Sequence, residues 1–115
     1  MDFNMEKVGD ITIIRLKIEK LLYDNLDPLH HGLYDLIDKG IVHLVLNLSS
    51  VSYIDSFTVG FLMDIYRRLA DQKGRMALAG VQPRVKNILA LTRVDEVIPI
   101  YETEEEATAS FARED

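Results

Sequence analysis

The run "IVHLVLNL", residues 41–48, shows almost no alternation of polar and apolar residues, and that absence is the strongest constraint in the chain. A strand with one face in water alternates every second residue. A run like this one belongs in a parallel sheet covered on both faces, and so at its centre. Downstream, Phe61, Leu62, Ile65 and Leu69 recur at helical spacing, Gly74 ends that helix, and "RMALAG" supplies another short apolar strand. Strand, helix and strand in that order predict an α/β fold.

The flanks extend the same pattern. Gly9-Asp10 lies between two strand-like stretches and suits a tight hairpin turn, so two antiparallel strands open the chain. In the second of them Ile14, Leu16 and Ile18 share one face while Arg15 and Lys17 share the other, the mark of a strand with one face in solvent. Leu26, Leu29, Leu33 and Ile37 form one helical stripe, with Asp27-Pro28 as cap and first-turn pair and Gly40 as the stop. "VQPRVKNILALT" places Val85, Ile88, Leu89 and Thr92 on one face of a further helix. Pro99 within "VIPIY" predicts an edge strand, because proline donates nothing to a ladder. Thr103 and Glu106 have the spacing of a capping box, which makes "TEEEATASFA" a last helix with its acids at the favourable end. Without repeat, linker or low-complexity segment, residues 1–115 are expected to form a single domain.

Composition narrows the function. A net charge of −6, from 13 basic and 19 acidic residues, disfavours a nucleic-acid binder, whose affinity rests on clustered Lys and Arg. No apolar run approaches the ~20 residues that span a bilayer, so the chain is not expected to insert in a membrane. The start "MDFNMEKVGD" is acidic where a signal peptide is basic and then apolar, and together with the lack of cysteine this gives a cytoplasmic expectation. There is no GxGxxG, P-loop, GxSxG or HExxH motif, and no cysteine for thiolate chemistry, so neither catalysis nor a bound metal or cofactor is expected. His30 and His31 are adjacent and point about 100° apart on a helix, which reads as a solvated face, with His31 and Asp27 one turn apart. His43, in the apolar strand, reads as a satisfied, partly buried histidine.

Asp55-Ser56 differs from these, because it sits where a buried strand gives way to a helix, the end of an α/β sheet where ligands and chemistry collect. One reading makes Ser56 the helix N-cap. The other makes it an exposed phosphoacceptor, with a phosphate of about −1.5 to −2 charges resting on the helix's free N–H groups. The stripe of Phe61, Leu62, Ile65 and Leu69 extends back to Thr58, which leaves Phe57 off its centre and expected to be exposed as a contact for a partner.

The segments "LVLNLSSVSYIDSFTVGFL" and "GRMALAGVQPRVKNILALTRVDEVIPIYETEEEA" resemble the bacterial anti-sigma factor antagonists of the STAS domain family, most strongly from Ile41 to Ala107. The resemblance implies a mixed sheet, an antiparallel N-terminal hairpin joined to parallel strands, with helices packed around it. It implies a partner-switching signalling protein of bacterial transcription regulation, not an enzyme. Its partners are an anti-sigma factor that is also a serine kinase, bound when the antagonist is unphosphorylated and released on phosphorylation, and a serine phosphatase that restores binding. Carried over, the phosphoacceptor is Ser56, with Thr58 the alternative hydroxyl, and the contact surface takes in Asp55, Ser56, Phe57, Thr58 and Gly60. Phe57 and Thr58 stand where the family has a small residue and a glycine. Leu22 falls near an acid that closes the family's second strand. Two other readings compete: a non-switching STAS scaffold of a signalling assembly or membrane transport complex, and a receiver-like domain using Asp55. The second expects a lysine after the last strand, which "VIPIYE" does not supply.

Overall fold

The structure, a computed structural model, describes residues 2–112. Strands β1 (Phe3–Val8) and β2 (Ile11–Leu16) form the antiparallel hairpin, with Gly9 at φ +62° in its turn, a conformation that glycine adopts without steric cost. β2 then pairs in parallel with β4 (His43–Asn47), β4 with β6 (Arg75–Ala79), and β6 with β7 (Ile100–Tyr101). The order β1-β2-β4-β6-β7 puts the non-alternating run at the centre and the Pro99 strand at an edge, as their sequences require. A second, two-stranded parallel ribbon joins β3 (Lys20–Leu21) to β5 (Tyr53–Ile54). It is too short to carry a sequence pattern, yet it aligns the two segments that build the site described below.

Helices α1 (Asp27–Asp38), α2 (Ser56–Asp71) and α3 (Pro83–Leu91) contribute Leu29, Leu33, Leu62, Ile65, Leu69, Val85 and Leu89 to one core with Leu44 and Leu46 of the central strand. The opposite face of the sheet is covered by α4 (Glu104–Ala112), where Ala107 meets Ile11, Ile13, Val45, Ala77 and Ala79. This second layer corrects the reading of β2. Its residues 11–14 are all buried, because a helix ninety residues later in the chain covers the face that the sequence assigns to solvent. Arg15 reaches out of that layer and holds the start of α4.

Three local expectations change in detail. Leu26, in helical conformation, occupies the N-cap position of α1, so Asp27 and Pro28 are first-turn residues and no side chain caps that helix. α2 ends at Asp71, and Lys73, not Gly74, takes the left-handed turn (φ 63°). Gly74 is needed for closeness instead, since a Cβ there would lie 2.1 Å from the Val42 carbonyl oxygen. The box of Thr103 and Glu106 forms with one shift: the Glu106 N–H donates to Thr103 Oγ1 at 3.1 Å, but the Glu106 carboxylate accepts from the N–H of Glu102.

Candidate functional site

The first turn of α2 is built by a single carboxylate. Asp55, in extended conformation (φ −109°, ψ −178°), is the N-cap residue; its Oδ1 accepts from the Thr58 N–H at 2.9 Å. Its Oδ2 accepts from the N–H of Tyr23 at 2.9 Å, which ties the segment after β3 to the helix. Thr58 completes the tie: its buried hydroxyl donates to the Leu21 carbonyl at 2.6 Å and lies 3.0 Å from Asp55 Oδ1. Partial burial pushes the Asp55 carboxyl up. The Tyr23 and Thr58 N–H groups and the Thr58 hydroxyl outweigh that burial, so the group titrates below the ordinary carboxylate range.

The cap reading of Ser56 is therefore corrected. Asp55 has the capping role, and Ser56 is the first residue of the helix, exposed, its hydroxyl without a hydrogen bond. The sequence cannot separate the two assignments, because aspartate and serine are both preferred N-caps and stand side by side. No acid lies in the first turn of α2, and the N–H groups of Ser56 and Phe57 meet no acceptor among the described residues. A helix start in that state attracts anions. Thr58 presents no side-chain surface, being fully buried, so only Ser56 of the two hydroxyls is accessible here.

Phe57 is 66% exposed, and its ring lies 5.6 Å from that of Tyr23, which is 64% exposed. Tyr53, in β5, is the other large aromatic on the surface, with the Arg84 guanidinium 5.9 Å above its ring. Each exposed aromatic among the described residues thus lies within a few residues of Asp55 or is tied to it. Behind the Tyr23–Phe57 pair a groove of about 460 Å³ opens between α1 and α2, lined by Leu26, Asp27, His30, Ser56, Gly60 and Phe61 among others. The 22–25 turn that carries Tyr23 is fixed by Asn25, whose Oδ1 accepts from Leu22 N–H while its Nδ2 donates to Lys20 carbonyl.

At the far end of the groove Asp64 accepts from the Tyr34 hydroxyl and from Arg68 Nε at 3.3 Å, with His30 Nε2 at 3.4 Å. Burial raises the Asp64 carboxyl, and these three partners bring it below its ordinary value; the same bond to Asp64 raises Tyr34. His30 is accordingly not a solvated residue: half-buried, it sets its ring edge-on to Tyr34 and Phe61. His31 is exposed as expected. His43 is half-buried as expected, its ring against Phe111, but it is not satisfied: Nδ1, 3.3 Å from Asp10, makes no hydrogen bond. No group of three or more metal-ligating side chains occurs among the described residues. Tyr23 is the site residue that sequence reasoning misses. It has no periodic neighbours, and its link to Asp55 spans 32 residues.

Comparison with known proteins gives concordant relatives. The model of the STAS domain matches residues 2–107. A Thermotoga maritima protein named "Putative anti-sigma factor antagonist" is 30% identical over 108 residues, covering 93% of this chain and 96% of its own. The "Anti-sigma F factor antagonist" of Paenibacillus polymyxa is 27% identical over 105 residues, covering 90% of this chain and 89% of its own. A crystal structure from Thermotoga maritima, described in the same words as the first relative, superposes with a TM-score of 0.91 at 29% identity, over 96% of this chain and 95% of that one.

Proposed function

The chain belongs to the STAS domain family, and on that premise we propose that it is an anti-sigma factor antagonist switched by phosphorylation of Ser56. The observation that supports this most is the division of labour at the start of α2. Asp55 takes the capping role, which leaves the Ser56 hydroxyl exposed and free beside two N–H groups without acceptors. A serine that capped the helix would lose its own hydrogen bond on phosphorylation; this one loses nothing.

In this reading the unphosphorylated protein binds an anti-sigma factor that is also an ATP-dependent serine kinase. Ser56 Oγ attacks the γ-phosphorus of ATP, its proton passes to a base of the kinase, and ADP leaves. The product is a hydrated dianion in the middle of a surface formed by Asp55, Ser56, Phe57 and Gly60, with Thr58 beneath it as a strut. Binding the kinase again requires that dianion to be stripped of water, which is costly where no buried cation compensates. A serine phosphatase reverses the state by hydrolysis, releasing inorganic phosphate. The protein itself is a binding module working in the cytoplasm. No helix of the described residues is long and apolar enough to cross a membrane.

The test is to incubate the protein with ATP and each ATP-binding anti-sigma factor kinase encoded in the source genome, and to measure intact mass. One added phosphate on the wild type, absent in Ser56→Ala, is the expected result. Full phosphorylation of Ser56→Ala would refute the assignment.

A further inference from the structure

Gly60 is a cost without a return inside the fold. It lies in the second turn of α2, where glycine is less favourable than alanine because its backbone loses more freedom in the helix. Its φ is not positive, and a Cβ built on it meets nothing within 4 Å, so neither backbone conformation nor packing calls for glycine there. What Gly60 does is leave a notch. It lines the groove behind the Tyr23–Phe57 pair, and α1 forms the other wall through Leu26 and Asp27.

The rim of that groove is acidic. Asp27, which lines it, and Asp24, the chain neighbour of the lining residue Tyr23, are exposed, and their carboxylates make no hydrogen bond or ion pair among the described residues. A chain of net charge −6 with two uncommitted carboxylates around an aromatic centre is complementary to an apolar side chain ringed by Lys or Arg. The walls are held in place from below: Asp55 and Thr58 fix Leu21 and Tyr23 to α2, so Tyr23 keeps its place beside Phe57 without a partner present. A preformed surface of this kind loses little freedom on binding.

We propose that the notch over Gly60 is the socket into which the anti-sigma factor kinase inserts an apolar side chain, with Tyr23 and Phe57 as its walls and basic residues of the kinase facing Asp24 and Asp27. The proposal rests on the functional reading above and adds to it the groove, the Tyr23 anchor and the reason for Gly60. It also explains why the switch works at Ser56, which lines the mouth of the same groove.

The variants carry opposite signs in two readouts, measured against the purified kinases of the source genome. Gly60→Ala should raise the melting temperature by about 3–6 °C, because it removes a helical glycine, while weakening binding more than tenfold by filling the notch. Tyr23→Ala should weaken binding as strongly, through faster dissociation, with the melting temperature within about 2 °C of wild type. Asp27→Asn should slow association severalfold and reduce its salt dependence, leaving dissociation unchanged. Wild-type binding with Gly60→Ala and Tyr23→Ala both neutral would overturn the socket and leave the functional reading standing. Failure of the wild type to bind any of these kinases would overturn both.

Discussion

The starts of α2 and α4 each follow the carboxyl end of a strand, β5 and β7, and they are finished in opposite ways. α4 carries Glu104, Glu105 and Glu106 in its first turn, a Thr103 cap, and a return bond from Glu106 to the N–H of Glu102. Glu104 is further held by Arg15, through Nε at 2.7 Å and Nη2 at 2.9 Å, and by Asn47 Nδ2 at 2.6 Å. The Arg15 bonds lead the effects that hold Glu104 below the usual carboxylate range, and the bond to Glu104 leads those that raise Arg15. α2 has no acid in its first turn, one carboxylate outside it, and a free hydroxyl at its first position. A helix start closed by its own side chains fastens a layer of the fold. One left partly open is available to a charge that arrives later.

The largest expected effect falls on the closed terminus. Glu104→Ala strands the Asn47 amide and leaves Arg15 only Glu6, at 2.7 Å, as a partner. Unfolding in urea should show a loss of about 2–3 kcal/mol, below the range for fully buried pairs because Arg15 is partly exposed. A change under about 0.5 kcal/mol would mean that α4 is held by packing alone. Next comes Asp55→Ala, which removes the cap of α2 and the tie to Tyr23 together; about 1–2 kcal/mol is expected in the same assay. Unchanged stability there would remove the contrast, since Ser56 would then be able to substitute as the cap.

Acid sharpens the comparison further. Both Glu104 and Asp55 have folded-state pKa values below their unfolded ones, so their contributions are complete above the unfolded values, roughly 4, and are lost as pH falls through the lowered ones. Stability should therefore decline below about pH 4, and Glu104→Gln should flatten part of that decline. An identical pH profile in the variant would show that the Arg15 pair contributes nothing to it. The smallest effect is that of Ser56→Ala, which should stay within about 0.5 kcal/mol of wild type, because an exposed hydroxyl without a partner is removed.

Much of this contrast is legible in the sequence, and the rest is hidden for identifiable reasons. The closed terminus is local: Thr103 and Glu106 announce it at the spacing of one helical turn. The central place of residues 41–48 is legible because burial on both faces removes alternation, and the edge place of β7 because Pro99, whose carbonyl accepts from Leu78 N–H at 2.9 Å, cannot donate to a further strand. β2 misleads, since Arg15 interrupts its apolar pattern in order to reach Glu104, 89 residues away. His30 misleads in the same way: besides Tyr34 of its own helix, it packs against Phe61 and lies beside Asp64, both of α2. At the candidate site the sequence locates Asp55 and Ser56 but cannot assign the cap between them. Tyr23 is illegible, because the two-residue ribbon of β3 and β5 and the long-range bonds of Asp55 and Thr58 bring it to Phe57.

On the function proposed above, phosphate on Ser56 changes the surface of this protein and not its fold. The most direct measurement takes two samples, unphosphorylated and phosphorylated on Ser56, and determines for each the affinity for the purified kinase and the melting temperature. Affinity should fall by more than tenfold on phosphorylation, with a melting temperature equal or a few degrees higher, because the dianion meets the free N–H groups of Ser56 and Phe57. Equal affinity in the two samples, or a loss of binding that follows a sharp drop in melting temperature, would contradict it.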